Sequence, residues 1–305
     1  MVPLADKCFV GAHAHSYNNE KPFITKEKPV QNPPVVHIVP VKKKRVKTAL
    51  LLAAGTGSRL RPLTLDAPKC LTVVGGKPIL KRLIENLRAQ GIQKLIVVTG
   101  YLENCIRDFL QEHKDDMQVE YVFNPEYQTT NNIYSLWLAR QAIKEPFLLV
   151  ECDLVFDPSM LEKMLEPNKI AISNILPWMN GTTVELDQNR GVTSFEAGQD
   201  LENTTRYKTV NIYSLSLDSW IKVVDRLGGY ISGERLGEYY EVVFADMIAD
   251  GSLNFDAVFF NENRWFEIDR LEDLNAAELM FPAPVQRKQK KHQNGLFDFV
   301  PLAAS

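Results

Sequence analysis

The stretch that most limits the fold runs from Lys47 to Lys69: Lys-Thr-Ala-Leu-Leu-Leu-Ala-Ala-Gly-Thr-Gly-Ser-Arg-Leu-Arg-Pro-Leu-Thr-Leu-Asp-Ala-Pro-Lys. Its first half, Thr48 to Ala54, is an apolar run of strand length stopped abruptly by glycine, the pattern of a parallel strand buried on both faces. The second half has the makings of a phosphate loop. Gly55 and Gly57 let the backbone turn tightly and bring its N–H groups close to a ligand, while Thr56 and Ser58 add hydroxyls and Arg59 and Arg61 add fixed positive charge. Lys69 follows a proline that restricts its approach and aims an ammonium at the same spot. The strand end and loop, Leu52, Ala53, Ala54, Gly55, Thr56 and Gly57, are therefore candidate nucleotide contacts, with Arg59 and Lys69 as candidate catalytic cations.

Two common glycine-rich motifs are excluded. A dinucleotide fingerprint needs a third glycine where this chain has Leu60, and an acidic residue about 20 residues on, whereas no Asp or Glu occurs between Asp66 and Glu85. An NTPase loop ends in Gly-Lys-Ser/Thr, and this one does not. The arrangement Leu-Ala-Ala-Gly-x-Gly-x-Arg-Leu followed by Pro-Lys resembles the signature of the nucleotidyltransferases that load sugar phosphates or phosphocholine onto a nucleotide. Across residues 47 to 280 the likeness is strongest to the bacterial phosphocholine cytidylyltransferases within that MobA-like, sugar-phosphate type of superfamily.

At 305 residues the chain suits one large α/β domain with terminal appendages. Prolines at 3, 22, 29, 33, 34 and 40 break any periodicity, so residues 1–46 read as a proline-rich disordered arm. Residues 47–282 form the catalytic domain, and residues 283–305 read as a basic tail or linker that offers a fusion or docking point. His13 and His15 lack acidic or cysteine partners nearby and read as part of a solvated arm. With 35 basic against 38 acidic residues and a net charge of −3, no global field argues for nucleic acid. Cys8, Cys70, Cys105 and Cys152 are widely spaced, which fits a reduced, cytoplasmic protein. No apolar stretch reaches membrane-spanning length.

The fold expected is a doubly wound, mostly parallel, Rossmann-like α/β sheet with a β-rich, substrate-facing insertion from Lys169 onward. Strands are expected at 94–99, 118–123, 147–151, 169–176, 182–186, 191–195 and 208–215, with helices at about 78–90, 102–113, 217–227, 236–248 and 271–280. In such a sheet ligands collect at the carboxyl ends of strands, which brings Gly100 and Tyr101 near a nucleotide, unless they are a plain strand-to-helix turn. Asn131 or Asn132 caps a helix, and the free N–H groups and amides there can read a base edge; Ser135 follows on the same turn. The segment Asn131-Asn132-Ile133-Tyr134-Ser135-Leu136 resembles the Asn-Asn-x-Tyr-Ser-Leu of the phosphocholine enzymes, and that likeness implies base binding and favours cytosine.

Asp153, delivered by a buried strand to the edge that holds the phosphate loop, needs a cation and reads as a magnesium ligand; helix capping is the other reading, although Asp157 is better placed for it. Strand alternation puts Glu267 and Asp269 on one face and Phe266 and Ile268 on the other, so two carboxylates point together. The family resemblance implies that this Glu-x-Asp holds magnesium together with Asp153. Lys208 and Asn211, read as exposed strand residues, are candidates for the acceptor's phosphate; Glu238 and Glu241 either meet an amine on the acceptor or simply favour a helix dipole. In the middle of the chain, Trp178 is followed by Met-Asn-Gly-Thr-Thr and not by an aromatic wall, a departure from the choline enzymes that makes a primary amine such as 2-aminoethylphosphonate a serious alternative to phosphocholine. The activity expected is transfer of CMP from CTP to such an acceptor with release of pyrophosphate. A sugar-1-phosphate transferase and a catalytically dead nucleotide sensor are the rivals.

Overall fold

Every residue of strand β1 (Thr48–Ala53) is buried, because the sheet that contains it is covered on both faces. The structure, a computed structural model, describes residues 45–197 and 206–283. The expected arm and tail lie outside these residues except for Arg45, Val46 and Ala283; Val46 is already buried and its N–H donates to the Leu165 carbonyl.

After β1 come a small hairpin of β2 (Val73–Val74) and β3 (Lys77–Pro78), then α1 (Ile79–Ala89), β4 (Lys94–Thr99), α2 (Glu103–His113) and β5 (Gln118–Phe123). Next are α3 (Asn132–Leu138), β6 (Phe147–Glu151), β7 (Leu154–Phe156), β8 (Lys169–Ser173), β9 (Thr182–Leu186), β10 (Val192–Ala197) and β11 (Tyr207–Leu215). The described chain finishes with α4 (Leu217–Ser232), α5 (Tyr240–Ala249), β12 (Asp256–Phe259), β13 (Trp265–Glu267) and α6 (Leu271–Met280).

The sheet runs β10-β9-β11-β6-β1-β4-β5, with β8 and β12 branching from β11. Strands β6, β1, β4 and β5 are parallel, and β11 enters antiparallel to β6, β8 and β9. This is the expected doubly wound α/β sheet with an antiparallel extension. Alternation along β1 sends Leu50 and Leu52 into one core with α3, α4 and α5, and Ala49, Leu51 and Ala53 into the other with α1 and α2.

A third, smaller core sits under the glycine loop. Leu60, Val155, Phe266, Ile268 and Ala277 meet there, so the loop, the β7–β13 pair and α6 share one foundation. Two helices depart from expectation. The one expected to stop at Leu227 continues through Gly228 and Gly229 to Ser232, because Tyr230 on its last turn is buried. The one expected from Leu236 begins only at Tyr240, since residues 236 and 237 form a turn whose carbonyls accept bonds from Asn131.

Candidate active site

Beyond β1 the chain leaves the sheet through Ala54 and Gly55 and turns at Gly57, whose φ of 61° is left-handed. A Cβ on Gly57 would lie 3.1 Å from both the Lys69 and Thr64 side chains, and the Thr64 hydroxyl donates to the Gly57 carbonyl at 2.8 Å. Leu60, fully buried, pins the loop from below. Above it opens a cavity of about 310 Å³, joined to a second of about 330 Å³ through shared walls at Arg59, Asn211, Tyr239, Glu241, Glu267 and Asp269.

Of the residues singled out from sequence, the first cavity gathers Leu52, Ala54, Gly55, Gly57, Arg59, Lys69, Asn131, Asn132, Ser135, Asp153, Asn211, Glu241, Glu267 and Asp269; Lys208 lines the second. Five others are placed elsewhere. Ala53 faces the opposite core by strand alternation, and Thr56 stands off the cavity wall. Gly100 serves packing, since a Cβ there would come within 2.7 Å of Tyr127 and 2.8 Å of the Ala54 carbonyl. Tyr101 braces the loop from behind, its hydroxyl donating to the Thr64 and Leu65 carbonyls at 3.0 and 2.8 Å. Glu238 points away and pairs with Arg235 at 3.2 Å.

The carboxylates are brought together by backbone pairing. Glu267 stands opposite Leu154 in the antiparallel β7–β13 pair, and the Ile268 N–H donates to the Asp153 carbonyl at 3.0 Å. Phe266 and Ile268 turn down into the small core, so Glu267 and Asp269 turn up, as alternation predicts. Lys69 then sits between two of them, with Nζ 2.7 Å from Asp153 and 2.6 Å from Asp269, and Arg59 reaches Asp269 at 2.8 Å. Glu267 is drawn aside to Lys208 at 3.4 Å and Asn211 at 3.2 Å. Among the described residues no three His, Cys, Asp or Glu side chains are grouped closely enough to hold a metal ion by themselves. In this structure the charge between Asp153 and Asp269 is the lysine's own.

The ionisation of these groups follows from that geometry. Burial alone would lower Lys69 and raise Asp269, but Lys69 sits between Asp153 and Asp269, and Asp269 faces Lys69 and Arg59; the lysine is held above its ordinary range and Asp269 below it. Burial pushes Glu267 upward against the pull of Lys208. It pushes Glu241 up to about 7, and holds Glu151, with Asp153 and Glu241 close by, well above the usual carboxylate range.

Lys208 and Asn211 are not the exposed strand residues expected. Lys208 is 2% exposed, and its Nζ also donates to the Thr209 carbonyl at 2.7 Å. Three positions apart, they would face opposite sides of a regular strand. They meet the same carboxylate because the register of β11 against β8 shifts between Thr209 and Tyr213, with Asn211 left-handed at φ 57°.

Asn131 caps α3 as expected, its side chain accepting from the Asn132 N–H at 2.8 Å. The amides are otherwise engaged within the protein. Asn131 Nδ2 donates to the Gly237 carbonyl at 3.3 Å, while Asn132 Oδ1 accepts from the Tyr240 N–H at 3.0 Å and its Nδ2 donates to Glu151 at 3.5 Å. These contacts use the amide atoms expected to read a base.

Glu151, Asn124, Tyr127 and Tyr239 also line the first cavity and were missed as site residues. For Glu151 the signal was present: it ends the same buried strand that pointed to Asp153. For Tyr127 and Tyr239, both in loops, no periodicity marks them.

Residues 49–175 match the MobA-like NTP transferase domain. The chain is 40% identical over 233 residues to a choline-phosphate cytidylyltransferase of Streptococcus pneumoniae, an alignment covering 75% of this chain and 96% of that protein. It is 30% identical over 253 residues to a CMP-5'-(3-aminopropyl)phosphonate synthase of Streptomyces rubellomurinus, covering 79% of this chain but only 40% of the longer relative. A bifunctional IPC transferase and DIPP synthase of Aquifex aeolicus is likewise matched over 51% of its length, so the chain spans about half or less of these two relatives. Among solved structures, the CTP:phosphocholine cytidylyltransferase of Streptococcus pneumoniae superimposes with a TM-score of 0.68 at 26% identity, covering 77% of this chain and 99% of that one. The glycine loop at the end of β1, the cations it presents and these relatives agree: the chain belongs to the nucleotidyltransferases with a MobA-like NTP transferase domain.

Proposed function

We propose that the protein is a cytidylyltransferase that moves CMP from CTP to a small acceptor bearing a phosphate or phosphonate at one end and a protonated amine at the other, releasing pyrophosphate. The observation that carries this reading is the charge of the joined cavities. Six acidic side chains, Glu151, Asp153, Glu196, Glu241, Glu267 and Asp269, line them with three cations, Arg59, Lys69 and Lys208; Glu196 is paired with Arg206 at 3.2 Å, and burial holds Glu151 and Glu241 toward their protonated forms. Glu151 and Glu241, which have no cation of their own, ionise more readily when one is brought to them, and this suits an acceptor that carries positive charge beside a loop suited to a triphosphate. Glu241 marks where: it is 9% exposed, and its Oε2 is buried without a hydrogen-bond partner. A primary ammonium has N–H groups to give that oxygen, and a quaternary one has none. Trp178 stacks one ring face on Phe266, with ring centroids 4.4 Å apart, and lines neither of the two cavities. Phosphocholine remains the second reading, supported by Phe195 and Tyr239 on the acceptor wall and by the choline-phosphate relative.

In the proposed reaction an acceptor oxygen attacks the α-phosphorus of CTP. The new P–O bond forms as the α–β bridging bond breaks, and pyrophosphate leaves with the electron pair. Arg59 and Lys69 neutralise the phosphates, and the cavity holds the two reactants in line. Asp153 and Asp269, with Glu267 beside them, suit a magnesium ion, since they are hard oxygen donors and Asp153 Oδ1 is buried without a hydrogen-bond partner. When bound, the ion supplies positive charge to the phosphates of the nucleotide.

The test is pyrophosphate release over a matrix of CTP, UTP and dTTP against phosphocholine, 2-aminoethylphosphonate, 3-aminopropylphosphonate and a sugar-1-phosphate. Release with CTP and an aminoalkyl phosphonate is expected; release only with a sugar-1-phosphate overturns the acceptor reading, and none with any pair in magnesium favours a nucleotide sensor. The Asp153→Ala variant separates the last case, abolishing turnover in an enzyme and only weakening binding in a sensor.

A further inference from the structure

The two joined cavities are of nearly equal size, about 310 and 330 Å³, but their proposed occupants are not. CTP has about thirty non-hydrogen atoms and 2-aminoethylphosphonate about seven, while sites of this volume ordinarily hold ligands of drug size. The acceptor side is therefore much larger than such an acceptor needs. The wall between the cavities shows where the excess lies. The attacking oxygen has to reach the nucleotide, so the acceptor's phosphate or phosphonate belongs at this wall, where Arg59 and Asn211 stand. Glu241, the partner proposed for the amine, lines both cavities as well. Both ends of so short a molecule are met at the wall, and the rest of the second cavity extends past them.

Thr182, Phe195, Val242 and Ala245 line that remainder, and none of them reaches the first cavity. Its apolar side is built where α5 packs against β10. On α5, Ala245 lies four positions past Glu241 and three past Val242, so the three share a face of the helix. Phe195, on β10, is 8% exposed, and Val242 and Ala245 are half-buried against the same core. The charged residues of this part are already paired, Lys208 with Glu267 at 3.4 Å and Glu196 with Arg206 at 3.2 Å. What it offers a ligand is apolar surface beyond a carboxylate.

We propose that the acceptor is an aminoalkyl phosphate or phosphonate that carries an apolar group of several carbons beyond its amine, seated on Phe195, Val242 and Ala245. This rests on the function proposed above and narrows its substrate class. An N-alkyl amine keeps N–H groups for Glu241, so the extension is compatible with that contact. Ala245 is then a specificity-determining residue, because its small side chain leaves the room that the apolar group fills.

The test is pyrophosphate release by the full chain with CTP and magnesium, comparing 2-aminoethylphosphonate with N-butyl-2-aminoethylphosphonate. Each buried methylene is worth about fourfold in affinity, and the butyl compound is expected to raise kcat/KM about tenfold or more. In Ala245→Phe the ratio of the two kcat/KM values is expected to fall about tenfold, whereas damage to the fold or to catalysis lowers both and leaves the ratio as it was. If Ala245→Phe does not fold by far-UV circular dichroism, Ala245→Leu is measured in its place with the same expected outcome. A butyl compound no better than its parent overturns the extension and leaves the cytidylyltransferase reading standing. A ratio that the substitution does not move has the same consequence. Release with neither compound overturns the aminoalkyl acceptor and the extension together.

Discussion

Replacing Lys69 by methionine isolates the cation between Asp153 and Asp269. Methionine keeps most of the stem volume and removes the ammonium, leaving two carboxylates that are 15% and 13% exposed without their shared partner. Breaking a buried pair by removing one member costs about 3–5 kcal/mol. Arg59 still holds Asp269, but its side chain is 57% exposed, so it offsets little of this. The opening of the cavity to solvent reduces the penalty, and a loss of about 2–3 kcal/mol is expected. For a domain of this size that is a fall in Tm of about 5–10 °C. The assay is urea or thermal unfolding in EDTA, so that no divalent ion replaces the lysine.

The sign with pH follows from the shifts. Asp269 is depressed in the folded state, so its stabilising contribution is present above the unfolded carboxylate value and is lost as pH falls through the folded one. Lys69 is raised, so its contribution is complete below the unfolded lysine value and is lost only as pH climbs through the folded one. The difference between wild type and Lys69→Met is therefore greatest near neutral pH and shrinks below about pH 4. An unchanged Tm at pH 7, or a deficit that grows on acidification, would refute the view that Lys69 holds the carboxylates in the protein without ligand.

Two glycines give a contrast. Gly100→Ala drives a Cβ to within 2.8 Å of the Ala54 carbonyl and is expected to cost about 1–3 kcal/mol in urea unfolding, whereas Gly55→Ala meets open space, leaves stability within about 0.5 kcal/mol and is expected to raise the KM for the nucleoside triphosphate about tenfold by filling the cavity floor. Glu241, with its folded value raised to about 7, favours the folded state in its protonated form, so its contribution to wild-type stability falls as pH rises from about 5 through 7. Glu241→Gln is expected to flatten that decline by up to about 3 kcal/mol, read from urea midpoints across the range. Cys70, buried with its thiol pushed up to about 12, is expected to resist iodoacetamide in the native protein and to react on unfolding, as followed by mass spectrometry.

The parallel half of the sheet was legible because Thr48–Ala53, Lys94–Thr99 and Phe147–Glu151 are apolar runs whose ends are marked by glycine or acidic residues. The convergence of Glu267 and Asp269 was legible from alternation alone. The exposure expected of Lys208 and Asn211 was wrong because a β-bulge leaves no mark in composition: regular alternation separates them, and only the shifted register brings both to Glu267. The asparagine pair was read as local chemistry, since a bond spanning 108 positions to Tyr240 is invisible to any window of sequence. Glu238 and Glu241 looked equivalent at a helix start; the late beginning of α5 turned one outward to Arg235 and the other inward.

The small apolar cluster beneath the glycine loop has a bearing on how function is lost. Leu60 supports the loop that presents Arg59, and Ile268 lies next to Asp269, yet both rest on Ala277 of α6 and Val74 of the hairpin. Genetic screens confined to the cavity lining would pass over those two positions, although a bulky replacement at either lifts the two sides of the Arg59–Asp269 contact unequally. Such variants would keep a well-formed sheet and still be inactive, a phenotype easily mistaken for damage to a ligand contact.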